Sequence, residues 1–306
     1  MKRREGYPFR RFYFLPCNFR YNSLSGRGLL LRSSTIVVFC AIDDLIPVSG
    51  KPLTGFPEFL ESLTEAGISS VWLTSRNRHQ LDSPLRKLGH EGAFIAEGGS
   101  CVYLAEDYFH LKPARTIRLG RFIGIPVATA LPAAAQALDL VAEETGITVV
   151  PLRSLTPREL MQNTGLPRAE AESIRQRDFD ELFFFAGASD ADIQRFRKRA
   201  AHLKFSVRPH GSLWSMAVNP SVATCVRELR KLYDRALHTH DFSIALTTSS
   251  EAAELIPSCD RSILLTDRAS PGGVPLTPGG STPKALPLFS GETWSLALEA
   301  IQARHL

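Results

Sequence analysis

The stretch "TIVVFCAIDDLIP" spans residues 35–47. A β-branched apolar run passes abruptly into two adjacent carboxylates, Asp43 and Asp44, with Ala41 two positions before the first. An apolar run of this length, bounded by polar residues, reads as a strand buried on both faces, as in a parallel sheet. Acids at the carboxyl end of such a strand are a common way to build a phosphate or metal site.

The neighbouring segments extend that pattern. "GFPEFLESLTEAG" (55–67) reads as a helix closed by Gly67, and "ISSVWLTSR" (68–76) as a second strand with a polar end. A shorter helix at 79–89 follows, then "GAFIAEGGSCVYLA" (92–105) as strand, glycine turn and returning strand. Strand–helix alternation predicts an α/β fold with a doubly wound parallel sheet. The middle changes character. Helices are expected at 132–146, on either side of Gly165–Pro167 with Thr156 as N-cap, and from Ser189. Strands are expected at 147–150 and 181–187, and a hairpin in "FSVRPHGSLWSMAV" (205–218). From 221 the α/β pattern returns, broken by a Pro/Gly/Ser-rich loop at 268–291 before a last helix. The expected domains are a leader (1–33), a discontinuous α/β core (34–114 and 218–306) and an inserted α+β cap (115–217).

Composition narrows the function classes. Of 306 residues, 44% are hydrophobic and 22% charged, as in ordinary globular chains, and no apolar run is long enough to span a membrane. The formal charge of +5 is unevenly placed. Residues 1–32 hold eight basic groups and one acid, leaving 28 basic and 30 acidic groups for the rest. The folded body therefore lacks a phosphate-backbone footprint, and neither nucleic acid nor membrane is expected as a partner. The leader has no continuous apolar core of the secretory kind; composition favours a disordered extension over a transit-type peptide or a mis-assigned start. Five cysteines without CxxC spacing read as reduced core residues of a cytoplasmic protein.

Two further stretches carry a resemblance. "ELMQNTGLPRAEAESIRQRDFDELFFF" (159–185) is similar to a TGLP…A…QRE(Y/F)-(S/D)-EP-F signature, and "SGETW" (290–294) echoes a terminal GPEGW. With the strand ends, these resemble the haloacid-dehalogenase-like phosphatases, and among them the mannosyl-3-phosphoglycerate phosphatase group. The resemblance covers nearly everything from residue 35 onward. It implies an aspartate nucleophile and an aspartate general acid/base two residues later, a Ser or Thr holding the phosphoryl group, a charge-neutralising Lys, and an acid-rich loop for Mg²⁺.

Residue by residue the chain departs from that set. The nucleophile position falls on Ala41, while Asp43 keeps the acid/base position; Asp44 and Leu45 replace Gly (or Lys) and Thr. Thr74 keeps the phosphoryl-holding position, followed by Arg76. Ser221 stands where Lys is expected. In "TTSSEA" (247–252), Thr248 and Ala252 replace both metal acids and Glu251 the Asn. "HGSLWS" (210–215) puts Ser212 and Ser215 where Arg and His would meet the substrate. The resemblance leaves Arg76, Glu97, Arg177 and Ser212 as substrate-contact candidates, and Asp43 as the one metal-ligand candidate.

Plainer readings compete. Asp43 and Asp44 could cap a turn, Thr74 could satisfy loop backbone, and Arg76 could pair with Glu97 at the surface. "AEGGS" (96–100) reads as a hairpin turn, Ser189 and Asp190 as a helix start, Trp214 and Trp294 as core aromatics, and His238 and His240 lack a third ligand for zinc. A methyl group cannot form an aspartyl-phosphate, and losing the nucleophile of a catalytic unit costs on the order of 10⁶ in turnover. The expectation is a catalytically degenerate homologue with no cofactor, binding a sugar phosphate or a protein partner such as an active relative or a glycosyl-glycerate synthase. The alternative is an active phosphoric monoester hydrolase with an atypical site, using Mg²⁺.

Overall fold

The computed structural model describes residues 35–47, 51–109, 113–238, 241–248, 252–267 and 283–303. The leader, His240, Glu251 and residues 268–282 of the expected loop lie outside these.

The chain runs β1 (Thr35–Ala41), α1 (Phe56–Glu65), β2 (Ser69–Leu73), α2 (Arg78–Lys87), β3 (Phe94–Ala96) and β4 (Cys101–Ala105). It continues through β5 (Ile117–Leu119), β6 (Phe122–Pro126), α3 (Leu131–Thr145), β7 (Val149–Pro151), α4 (Pro157–Thr164), α5 (Arg168–Ser173) and β8 (Asp180–Phe185). Then come α6 (Asp190–His202), β9 (Phe205–His210), β10 (Leu213–Val218), α7 (Val222–Leu237), β11 (Asp241–Thr248), α8 (Ala252–Leu255), β12 (Arg261–Leu265), β13 (Lys284–Leu286) and α9 (Thr293–Gln302).

Among the described residues, one sheet has the order β13-β12-β11-β1-β2-β3-β4-β6-β5. The strands from β13 to β3 are parallel, and β4, β6 and β5 close the edge antiparallel. β1 is central because both its faces are apolar. Val38 and Cys40 pack toward α1, α2 and α9, whereas Val37, Phe39 and Ala41 pack toward α7. The chain winds outward from β1 in one direction through β2 and β3, and later in the other through β11 and β12. Strand order therefore reverses beside β1, and the carboxyl ends of β1, β2 and β11 lie side by side at the place where open α/β sheets bind ligands.

A second, antiparallel sheet has the order β7-β8-β10-β9. One face packs Phe183, Val207 and Met216 against Leu138, Val141 and Phe196 of α3 and α6. The other packs Leu182 and Leu213 against Leu160 of α4, Ala171 of α5 and Ile174 just after it. Thr156 caps α4 and Ser189 caps α6, each through a reciprocal capping box, and Gly165 ends α4 in the left-handed conformation.

The expected insert boundary at 115 needs correction. β5 and β6 belong to the large sheet, where β6 pairs with β4, Phe122 stands edge-on to Phe94 at 5.1 Å, and Ile125 joins the α7-side core. The polypeptide leaves that sheet after Pro126.

Candidate functional site

Asp43 follows β1 directly and is held by β2. Its carboxylate accepts hydrogen bonds from the Ser75 N–H (2.7 Å), the Ser75 hydroxyl (2.5 Å) and the Thr74 hydroxyl. Arg76 lies against it with Nε 3.3 Å from Oδ1. Burial works to raise the Asp43 carboxyl, but Arg76 and the bonds from Ser75 and Thr74 outweigh it and hold the group below the usual carboxylate range. Arg76, only 3% exposed, also donates to the backbone carbonyls of Asp43 and Ile46, and so stitches the loop after β1 to the end of β2.

Ala41 is 2% exposed and lies in the apolar cluster of Val37, Phe39, Val71 and Leu73. Asp44 is exposed and accepts from the Thr248 hydroxyl, which joins the ends of β1 and β11. Ser221 is a helix cap: its hydroxyl accepts the Thr224 N–H at 3.1 Å, and its own N–H donates to Gly99 at 2.9 Å. Gly99, at φ +91°, leaves no room for a side chain because a Cβ would stand 2.6 Å from the Val222 nitrogen. The "AEGGS" turn thus joins β3 to β4 and abuts the start of α7. Ser221→Ala should cost about 1 kcal/mol as a lost N-cap, read by urea unfolding.

The surface pairing of Arg76 with Glu97 does not occur. Glu97 is 2% exposed, and its carboxyl oxygens accept three backbone N–H groups of the insert, from Asp178 (3.1 Å), Phe179 (2.8 Å) and Asp180 (3.0 Å). It satisfies backbone donors at the start of β8. Arg177 is likewise internal: it pairs with Asp180 and donates to the Ser75 carbonyl at 2.7 Å. Ser215 donates to Asp180 at 2.5 Å. Asn77, Arg78 and Tyr103 add bonds to Ser173, Asp178 and Asp178 respectively, so the two sheets are joined by a continuous polar seam. Ser212 is exposed in the β9–β10 turn, and no described contact joins it to this cluster. Ala252 begins α8 beyond β11.

Sequence reasoning missed Ser75, Asp180 and His210. His210 shares a face of β9 with Arg208, which donates to Gly98 (2.6 Å) and pairs with Glu254 (2.9 Å). His210 lies within electrostatic range of Arg177, Asp180, Asp43 and Arg76. Burial and Arg177 push its imidazole down to about 4, against the pull of Asp180 and Asp43. The period-2 alternation of 206, 208 and 210 was the available signal; the identity of the facing groups was not.

Mg²⁺, which the resemblance implies, does not fit the described donors. Both Asp43 oxygens already carry protein donors and the Arg76 cation, and positions 41 and 252 are alanine. Among the described residues no three His, Cys, Asp or Glu side chains converge on one point. A site here would lack the hard-oxygen set the ion demands.

No family model matches the chain. In sequence it is 23% identical over 202 residues to a glucosyl-3-phosphoglycerate/mannosyl-3-phosphoglycerate phosphatase of Methanococcoides burtonii, covering 66% of this chain and 73% of that one. It is 21% identical over 208 residues to the mannosyl-3-phosphoglycerate phosphatase of Pyrococcus furiosus, covering 68% and 82%. In structure it matches a Thermoplasma acidophilum protein with TM-score 0.60 at 12% identity, over 88% of this chain and 99% of that one. A haloalkanoate-superfamily phosphatase from Bacteroides thetaiotaomicron matches with TM-score 0.59 at 17% identity, over 92% and 98%. The chain thus has the fold of the haloalkanoate-superfamily phosphatase and is similar in sequence to the mannosyl-3-phosphoglycerate phosphatases.

Proposed function

We propose that this chain binds a phosphorylated sugar acid between its two sheets without hydrolysing it. The observation that carries this reading is Ala41. It occupies the strand-end position of the attacking carboxylate, and its methyl group is part of the apolar core. Asp43, the surviving carboxylate, is saturated by Thr74, Ser75 and Arg76, so Thr74 is engaged with protein before any phosphoryl group arrives. Phosphoryl transfer relies on positioned charge and an in-line nucleophile, and the described residues supply neither in the required form.

The deciding experiment incubates the chain with mannosyl-3-phosphoglycerate and with p-nitrophenyl phosphate, with and without Mg²⁺. The expected result is no turnover, together with a thermal shift by mannosyl-3-phosphoglycerate that does not depend on the metal. Turnover at ordinary enzyme rates overturns the proposal.

One observation favours a second reading, an active phosphoric monoester hydrolase with an atypical site. Asp43 and Thr74 are still in contact at the strand ends, and His210 of the second sheet lies within electrostatic range of Asp43. In that case Asp43→Asn abolishes the activity; activity that survives the change excludes this version.

A further inference from the structure

A half-open cavity of about 460 Å³ lies in the insert, lined wholly by residues between Leu131 and Leu182. It contains none of the strand-end residues of the large sheet, although Arg177 of its wall reaches the Ser75 carbonyl beside Asp43. Its volume falls in the range of small-molecule sites, roughly 300–1,000 Å³. Leu152, Pro157, Ile174 and Leu182 give it an apolar floor.

The charges around it resolve by pairing. Three arginines and three acids line the cavity. Arg177 is paired with Asp180, Arg153 pairs with Glu181 at 3.2 Å, and Glu172 is taken by Arg168 at 2.8 Å. Arg175 is the lining cation left over. It is half-buried, follows Ile174 of the floor, and has no ionic or hydrogen-bonding partner among the described residues. A guanidinium presents its donors as a planar fork that matches a carboxylate with two parallel bonds, and charge-assisted bonds of this kind are the strong ones. A phosphate dianion would leave one charge uncompensated beside a single arginine.

We propose that this cavity binds a small carboxylic acid with an apolar body, its carboxylate held by Arg175 and its body against the Leu152–Ile174–Leu182 floor. The site is independent of any chemistry at Asp43. It makes the insert a ligand-responsive element, because its walls include Arg177 and Asp180, which hold the two sheets together.

Calorimetric titration of the full chain with 3-phenylpropionate, gluconate and inorganic phosphate tests it. The expected order is 3-phenylpropionate tightest, gluconate weaker, phosphate weakest. Arg175→Ala should weaken 3-phenylpropionate at least tenfold, the scale of one charge-assisted bond pair, with Arg175→Lys intermediate. Because Arg175 has no partner among the described residues, both variants should keep the parent melting temperature, so a loss of binding is not a loss of fold. Asp43→Asn should bind 3-phenylpropionate like the parent, which separates this site from the proposed phosphate crevice. Absence of binding at millimolar 3-phenylpropionate, equal binding by Arg175→Ala, or preference for phosphate each overturns the proposal.

Discussion

Arg177→Met is expected to lower the unfolding free energy by about 3–5 kcal/mol, the cost of stranding a buried partner charge. Arg177 is 7% exposed and Asp180 2% exposed, and the arginine also satisfies the Ser75 carbonyl on the other sheet. Removing it leaves the Asp180 carboxylate without its cation, with only the side chains of Ser215 and Glu97 to bond it, and takes a donor from the half-buried Ser75 carbonyl. The converse change, Asp180→Asn, should cost less, because Arg177 keeps Ser75 and stays 4.0 Å from Glu97. The double variant Arg177→Met/Asp180→Leu should recover part of the loss, since an apolar pair carries no desolvation cost. Urea unfolding followed by far-ultraviolet circular dichroism reads all three. A loss below about 1 kcal/mol for Arg177→Met would show that the seam is wet and the pair weak.

The same seam explains what could and could not be read in the sequence. β1 was legible because a strand buried on both faces must be apolar at every position, and its abrupt end at Asp43 marks where the sheet meets solvent. Thr74 and Arg76 were legible as the polar end of the second strand. Their partner was not: Arg76 has a carboxylate at Asp43 and another at Glu97 to choose from, and the latter is taken by backbone N–H groups 81–83 residues further along the chain. Glu97, Arg177 and Ser221 satisfy donors or acceptors on segments distant in the chain, which local periodicity does not encode. The insert boundary was misread because β5 reads "IRL", with two exposed positions, and carries no alternation to reveal its place at the sheet edge. His210 was hidden for a related reason. Its neighbours come from both sheets, so its setting exists only once they are brought together.

Glu97 should titrate near neutrality, with large consequences for stability. Burial and the adjacent Asp180 carboxylate push it up to about 8, against Arg177 and the backbone N–H of Asp178. A raised carboxyl favours the protonated folded state. Its contribution is fully present below the unfolded value near 4.5 and is lost as pH rises through about 8. Asp43 acts in the opposite direction: its lowered value contributes stability above about 3.8 that is lost as pH falls through the folded value. Unfolding free energy should therefore decline between about pH 4.5 and 8, a window in which most globular proteins are at their most stable. Carboxyl carbon NMR of chain labelled at glutamate should show one resonance with a midpoint near 8, absent in Glu97→Gln. A Glu97 midpoint below 5 would mean that the three insert N–H groups and Arg177 dominate, and the decline in stability would vanish with it. In that case the seam is held by an ionised carboxylate, and stability should instead depend on Glu97 only as pH falls below that midpoint.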